Sequence, residues 1–175
     1  MSLHGDLLEQ ARHLAKKEPK RPKQASLRRA ISAAHCAVFH RLTDAGARFV
    51  VRGNDRTELR LAVARGFEHA EMKKAATSFT GGTLPLVLQP AVPTPPGVPA
   101  ALKQLAQTFI DLQQARHDAD YDLSRAFTRQ GTVDLVSQAE QAFKDWKSVD
   151  GTGSGRCVPR GAPPPGEDRS KVGNE

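Results

Sequence analysis

Leu27, Ile31, Ala34, Val38 and Leu42 recur every three or four positions through a stretch that holds no proline and no glycine. That spacing puts them on one face of an α-helix. It excludes a strand, whose side chains change face at every residue. A stripe of this length has to be covered by other elements.

The neighbouring segments carry matching stripes. Leu3, Leu7, Ala11 and Leu14 predict a first helix over 3–17, broken by Pro19 and Pro22. The second begins at Pro22 or is capped by Ser26, and Gly46 is its expected stop. A third, capped by Asp55 or Thr57, is expected to run to Phe79. Its apolar residues lie on two sides, Leu59, Val63, Phe67 and Ala70 on one and Leu61, Met72, Ala76 and Phe79 on the other. A two-sided helix is buried between neighbours or lies at an interface. A fourth starts near Pro99, with Leu102, Leu105, Phe109, Leu112, Ala119 and Leu123 on its core side. Gly131 separates it from a fifth, capped by Thr132, with Leu135, Ala139, Ala142 and Trp146 inward. The expected fold is all-α, an antiparallel bundle of about five helices spanning residues 1–150.

Two segments do not fit a bundle. Gly81, Gly82, Pro85, Pro90, Pro93, Pro95, Pro96, Gly97 and Pro99 make 81–99 a long proline-rich loop. Residues 151–175, with Gly-Thr-Gly-Ser-Gly and Ala-Pro-Pro-Pro-Gly, are expected to be a disordered tail. Aromatics are only 5% of the 175 residues, and a chain of that length buries one core without a staple. The two cysteines, Cys36 and Cys157, have no partners at metal-ligand spacing and read as free thiols in a reducing compartment. No basic segment followed by an apolar one opens the chain, and no stretch approaches a membrane span, so a cytoplasmic protein is expected.

The formal net charge is +7, concentrated at the start. Residues 1–41 hold nine Lys and Arg against three Asp and Glu, a local excess of +6. Within it Lys20, Arg21, Lys23, Arg28 and Arg29 are the candidate nucleic-acid contacts, since such a patch attracts polyanions. The alternative is a basic face that only keeps the protein soluble.

Chemistry is best sought in Arg116-His117-Asp118-Ala119-Asp120-Tyr121-Asp122. Arg116 and Asp120 project within the apolar stripe, four residues apart and able to pair. His117 and Tyr121 form a second such pair on the flank, while Asp118 and Asp122 point to solvent. Two readings stand. In one, Arg116 stabilises an anion while His117 or Tyr121 moves protons. In the other, an internal ion pair fixes packing or lines an interface. His35 and His69 read as packed helical histidines. The chain has no His-Glu-x-x-His, no paired-cysteine motif and no phosphate loop, so no metal or cofactor is expected.

Two segments together resemble the HEPN superfamily. Arg29-Ala30-Ile31-Ser32-Ala33-Ala34-His35-Cys36-Ala37-Val38-Phe39-His40 is similar to the Arg-Ala-x-Ser-x-Ala-Tyr-Tyr-Ala-x-Phe-His signature of one bacterial branch, with His35 and Cys36 at the tyrosine positions. Arg116, Ala119, Asp120 and Tyr121 match its Arg-x-x-Ala-Asp-Tyr pattern. The resemblance covers about residues 3–149. It implies a four- or five-helix bundle, often dimeric. It implies an RNA-associated function, either metal-independent endoribonuclease activity in toxin or defence systems or a degenerate relative of it. The other implied role is a non-catalytic dimeric module that docks a partner. Toxin members pair with a nucleotidyltransferase-like antitoxin. Nuclease members carry a histidine four to six residues after the arginine; here Asp120 and Tyr121 stand there, and His117 follows Arg116 directly. The resemblance makes Arg116, His117, Asp120 and Tyr121 the candidate catalytic set.

Overall fold

The structure, a computed structural model, describes residues 2–53, 55–81, 84, 86, 89 and 97–150. The expected tail at 151–175, Cys157 and most of the proline-rich loop lie outside the described residues. The described residues are all-α, with six helices: α1 (Leu3–Lys16), α2 (Gln24–Val50), α3 (Thr57–Arg65), α4 (His69–Thr80), α5 (Ala100–Tyr121) and α6 (Arg129–Asp150). None of them is long and apolar enough to cross a membrane.

The helix α2 is the central element and packs against α1, α3, α5 and α6, while α4 lies on α5. Its Leu27, Ile31, Ala34 and Val38 are fully buried, as the stripe requires. α1 and α2 pack together and give small residues to the shared core, Ala11 and Ala15 from α1 and Ala30, Ala33, Ala34 and Ala37 from α2. The buried face of α1 is therefore Leu8, Ala11 and Ala15, rotated from the expected stripe; Leu3 is exposed, and Leu7 and Leu14 are half-buried. Phe109 and Leu112 of α5 and Val136, Ala139 and Ala142 of α6 complete the core.

Four expectations are corrected. Gly46 does not stop α2, which continues to Val50. A Cβ at Gly46 would meet Phe67 Cζ at 2.8 Å, so the glycine serves close packing of that ring. The expected third helix is two helices, α3 and α4. Gly66 N–H turns back to Val63 O, and Glu68 is extended, which ends α3 and lets Phe67 reach the core. The two-sided burial fails with it: α4 buries Ala76, whereas α3 buries nothing, and Leu59 and Leu61 are exposed. The fourth helix expected from the sequence ends at Tyr121, before Leu123, which is 89% exposed. Finally, Thr132 is not a cap but a buried residue inside α6. Thr128 does the capping, its Oγ1 accepting from Gly131 N–H at 3.1 Å.

Candidate functional site: the α2–α5 polar seam

The two motif segments meet in space. Ser32, in the middle of α2, donates its hydroxyl to Asp120 Oδ1 at 2.6 Å, across 88 positions of sequence. Arg116 Nε–H donates to Asp120 Oδ2 at 3.1 Å from one turn earlier on α5. Asp120 is thus held at both oxygens. The pair is half-buried, with side-chain exposures of 30% for Arg116 and 23% for Asp120. The two Nη groups of Arg116 have no hydrogen-bond partner among the described residues, so its forked edge is free for an anion.

Removing Arg116 leaves Asp120 with Ser32 and partial solvent. Arg116→Ala is therefore expected to cost about 1–2 kcal/mol, less than the roughly 3–5 kcal/mol of a sealed pair. Replacing both residues by Leu should return stability to near wild type. Urea-unfolding midpoints of the three proteins check this.

The other motif residues diverge. His117 and Tyr121 are on the outer flank, both 68% exposed, with ring centroids 5.2 Å apart. Asp118 is not solvated as expected. It pairs with Arg125, accepts from Gln114 Nε2 at 2.8 Å and is only 14% exposed. Asp122 is exposed and accepts from Ser124, which holds its carboxyl below the ordinary range.

The basic candidates also separate. Arg28 reaches the C-terminus of α5, where its guanidinium donates to the carbonyls of Ala119 at 2.7 Å, Asp122 at 2.9 Å and Arg125 at 2.6 Å. It also sits 5.3 Å from the Phe127 ring centroid. Those donors are committed to capping, a role the sequence did not suggest. Arg29, one position on, is exposed and lines a groove of about 600 Å³ between α1 and α2 together with Lys17, Ser32 and Cys36. It also lines the adjoining recess beside Asp120 and Tyr121. Lys20, Arg21 and Lys23 are exposed on the α1–α2 connection. Glu18, the carboxylate within that run, accepts from Ser26 Oγ at 2.8 Å and Lys23 N–H at 3.3 Å. The Ser26 bond holds its carboxyl below the usual range. Lys16, Lys17, Lys20, Arg21 and Lys23 are left as a strip of five cations.

His35 and His69 are packed helical histidines, as the sequence suggests; what sequence reasoning missed is that they meet. His35 is fully buried and neither ring nitrogen has a partner; its ring is 5.1 Å from that of His69 and 5.6 Å from that of Phe109. Burial, then the charges of His69 and Arg116, push its pKa down to about 3. His69, the first residue of α4, lies against Phe39 with ring centroids 3.8 Å apart and planes tilted by 31°, and its Nδ1 is buried without a partner. Its pKa is lowered by burial and then by Arg116. Burial likewise raises that of the free thiol Cys36, which disfavours a thiolate nucleophile. No group of three or more metal-ligating side chains occurs among the described residues. An unusual helical spacing was not available as a signal, because the His35–His69 contact joins separate helices.

Comparison of the chain with protein-family models, curated proteins and solved structures found no match.

Proposed function

We propose that this protein is a HEPN-type RNA-associated protein that binds the RNA backbone without cutting it, a degenerate relative of the metal-independent endoribonucleases. The observation that carries the reading is the exposed strip Lys16, Lys17, Lys20, Arg21 and Lys23, whose nearest carboxylate, Glu18, is turned into the cap of α2. Lys17 of the strip lines the groove that also holds Arg29, and Arg29 lines the recess beside Asp120. Phosphate neutralisation by such a strip is independent of sequence. Cleavage through a ribose 2′-hydroxyl needs a proton acceptor and donor beside the cation. Within the motif, Asp120 is tied to Ser32 and Arg116, and His117 and Tyr121 lie on the outer flank. That arrangement favours binding over the nuclease reading.

Two measurements test this. RNA affinity should fall steeply with salt, and the triple variant Lys20→Gln, Arg21→Gln, Lys23→Gln should flatten the log–log slope by about two to three. Incubation with total RNA in EDTA should leave the RNA intact. Undetectable binding at low salt would remove the proposal, and strand scission lost in Arg116→Ala would replace it by the nuclease reading.

A second reading has its own observation. Phe49 and Val50 at the end of α2, and Leu59 and Leu61 on α3, are exposed. This favours a module that dimerises or docks a protein, including the antitoxin-type partner the resemblance implies. Light scattering at micromolar concentration separates monomer from homodimer.

A further inference from the structure

Helix α5 ends at Tyr121, where Asp122 takes an extended backbone. That end leaves two large side chains in water, Tyr121 and Leu123. Both line one recess of about 370 Å³, together with Arg28, Arg29 and Asp120. The volume falls in the range of small-ligand sites, roughly 300–1,000 Å³. A ligand with a flat apolar face gains by covering the exposed ring and its aliphatic neighbour. The His117 ring lies 5.2 Å from that of Tyr121, tilted by 49°. That contact already restrains the tyrosine, so less freedom is lost when a ligand covers it.

The polar groups of the recess are of two kinds. Arg29 is exposed, and its guanidinium has no partner among the described residues. It is shared by the recess and by the groove that holds Lys17 of the cation strip. The donors of Arg28 are taken up by the carbonyls at the end of α5, so Arg29 is the cation left for a ligand. Asp120 is the acceptor. Its Oδ1 takes one bond from Ser32 and its Oδ2 one from Arg116. An ionised carboxylate has about four acceptor positions, so it can take a further N–H donor. A ring for stacking, a carboxylate for an amine and a cation for a phosphate match the three parts of one nucleotide. A base inside a duplex does not fit this arrangement. It is stacked on its neighbours, and the A-form major groove is too deep and narrow for side chains to read.

We propose that this recess binds one unpaired base of an RNA strand, stacked on Tyr121, with an exocyclic amine donating to Asp120 and the adjoining phosphate on Arg29. The proposal rests on the RNA-binding reading and adds base recognition to it. Cytosine carries such an amine at its N4, and adenine at its N6. Uracil presents a carbonyl oxygen where cytosine has the amine, and that oxygen faces the carboxylate as one acceptor faces another. Backbone contacts along the strip hold any strand, and the recess discriminates among them.

The chain has one tyrosine, so the tyrosine ring signals in its NMR spectrum belong to Tyr121. The full chain is titrated at low salt and neutral pH with a cytidylate hexamer, a uridylate hexamer, a short RNA duplex and CMP. The expected result is a saturable upfield shift of the Tyr121 ring protons with the cytidylate hexamer. That hexamer should bind about three- to tenfold more tightly than the uridylate one, the worth of one hydrogen bond. Tyr121→Ala should weaken it by roughly 5- to 100-fold, and Tyr121→Phe should keep it, since stacking needs only the ring. Arg29→Gln should weaken both hexamers alike and lower the salt slope by about one. The duplex should leave Tyr121 unmoved. Unmoved Tyr121 signals on strand binding, equal affinity for the two hexamers, or CMP binding as tightly as the cytidylate hexamer would overturn the proposal and leave the RNA-binding reading standing. So would Tyr121 signals that shift with protein concentration alone, which assign this face to a second copy of the chain. No binding of any RNA at low salt would remove the reading and the proposal together. The wild-type titrations decide the matter even where a variant does not fold.

Discussion

Lowering the pH from 7 to 4 should destabilise this protein by about 3 kcal/mol through His35 alone, and His35→Phe should remove that loss. The sign follows from the direction of the shift. His35 is fully buried, and its pKa falls from 6.5 to about 3 on folding. Between those values the unfolded chain binds a proton that the folded chain refuses. Stability is therefore complete above about 6.5 and is lost at roughly 1.4 kcal/mol per pH unit as the pH falls toward 3. Phe is the informative replacement because the pocket is already aromatic, with Phe39 and Phe109 rings 6.3 and 5.6 Å away. It also removes two unpartnered buried nitrogens. Its stability at pH 7 should equal or exceed that of wild type. The check is the difference between wild-type and variant urea-unfolding free energies across pH 4–8. That difference cancels carboxylates such as Glu18 and Asp122, which titrate in both proteins. Parallel curves would show that His35 does not titrate on unfolding.

Arg28→Ala should lower the melting temperature by about 5–15 °C, corresponding to roughly 2–4 kcal/mol. One guanidinium closes the C-terminus of α5 through the carbonyls of Ala119, Asp122 and Arg125, and it also lies over Phe127. Gln24 reinforces the same loop, bonding Phe127 O at 2.8 Å and Phe127 N–H at 2.9 Å. Hydrogen bonds from a charged donor are worth about 1.5–3 kcal/mol singly, but those sharing one side chain do not add. Arg28→Lys keeps the charge and loses the fork, so it should recover less than half of the loss. Amide exchange should accelerate first between Asp122 and Gly131, where the clamp acts. An Arg29→Ala control, on an exposed side chain, should leave the melting temperature within a degree or two.

The helical character of every segment was legible in local spacing, because periodicity is set by the backbone of the segment itself. The stripe Leu27, Ile31, Ala34 and Val38 is the buried face of α2, and Leu105, Phe109, Leu112 and Ala119 are that of α5. The Arg116–Asp120 pair was legible for the same reason, since both ends lie on one helix. The split between α3 and α4 was not. Both sides of the break carry helical patterns, and the turn at Gly66 that ends α3 goes together with the packing of Phe67 against Gly46 of α2, a contact between two helices.

Arg28 and Arg29 mark the boundary most clearly. As residue types they are alike, and their helical positions differ by one step of about 100°. Only the placement of α5 decides that the first meets a row of carbonyls while the second meets solvent. The same holds for Ser32 with Asp120 and for His35 with His69. Local spacing determined which residues share a face of one helix. Which faces meet, and so which side chains became caps, partners or unpartnered histidines, was decided by the angles and registers at which the helices pack, because those depend on the shapes of all the surfaces together.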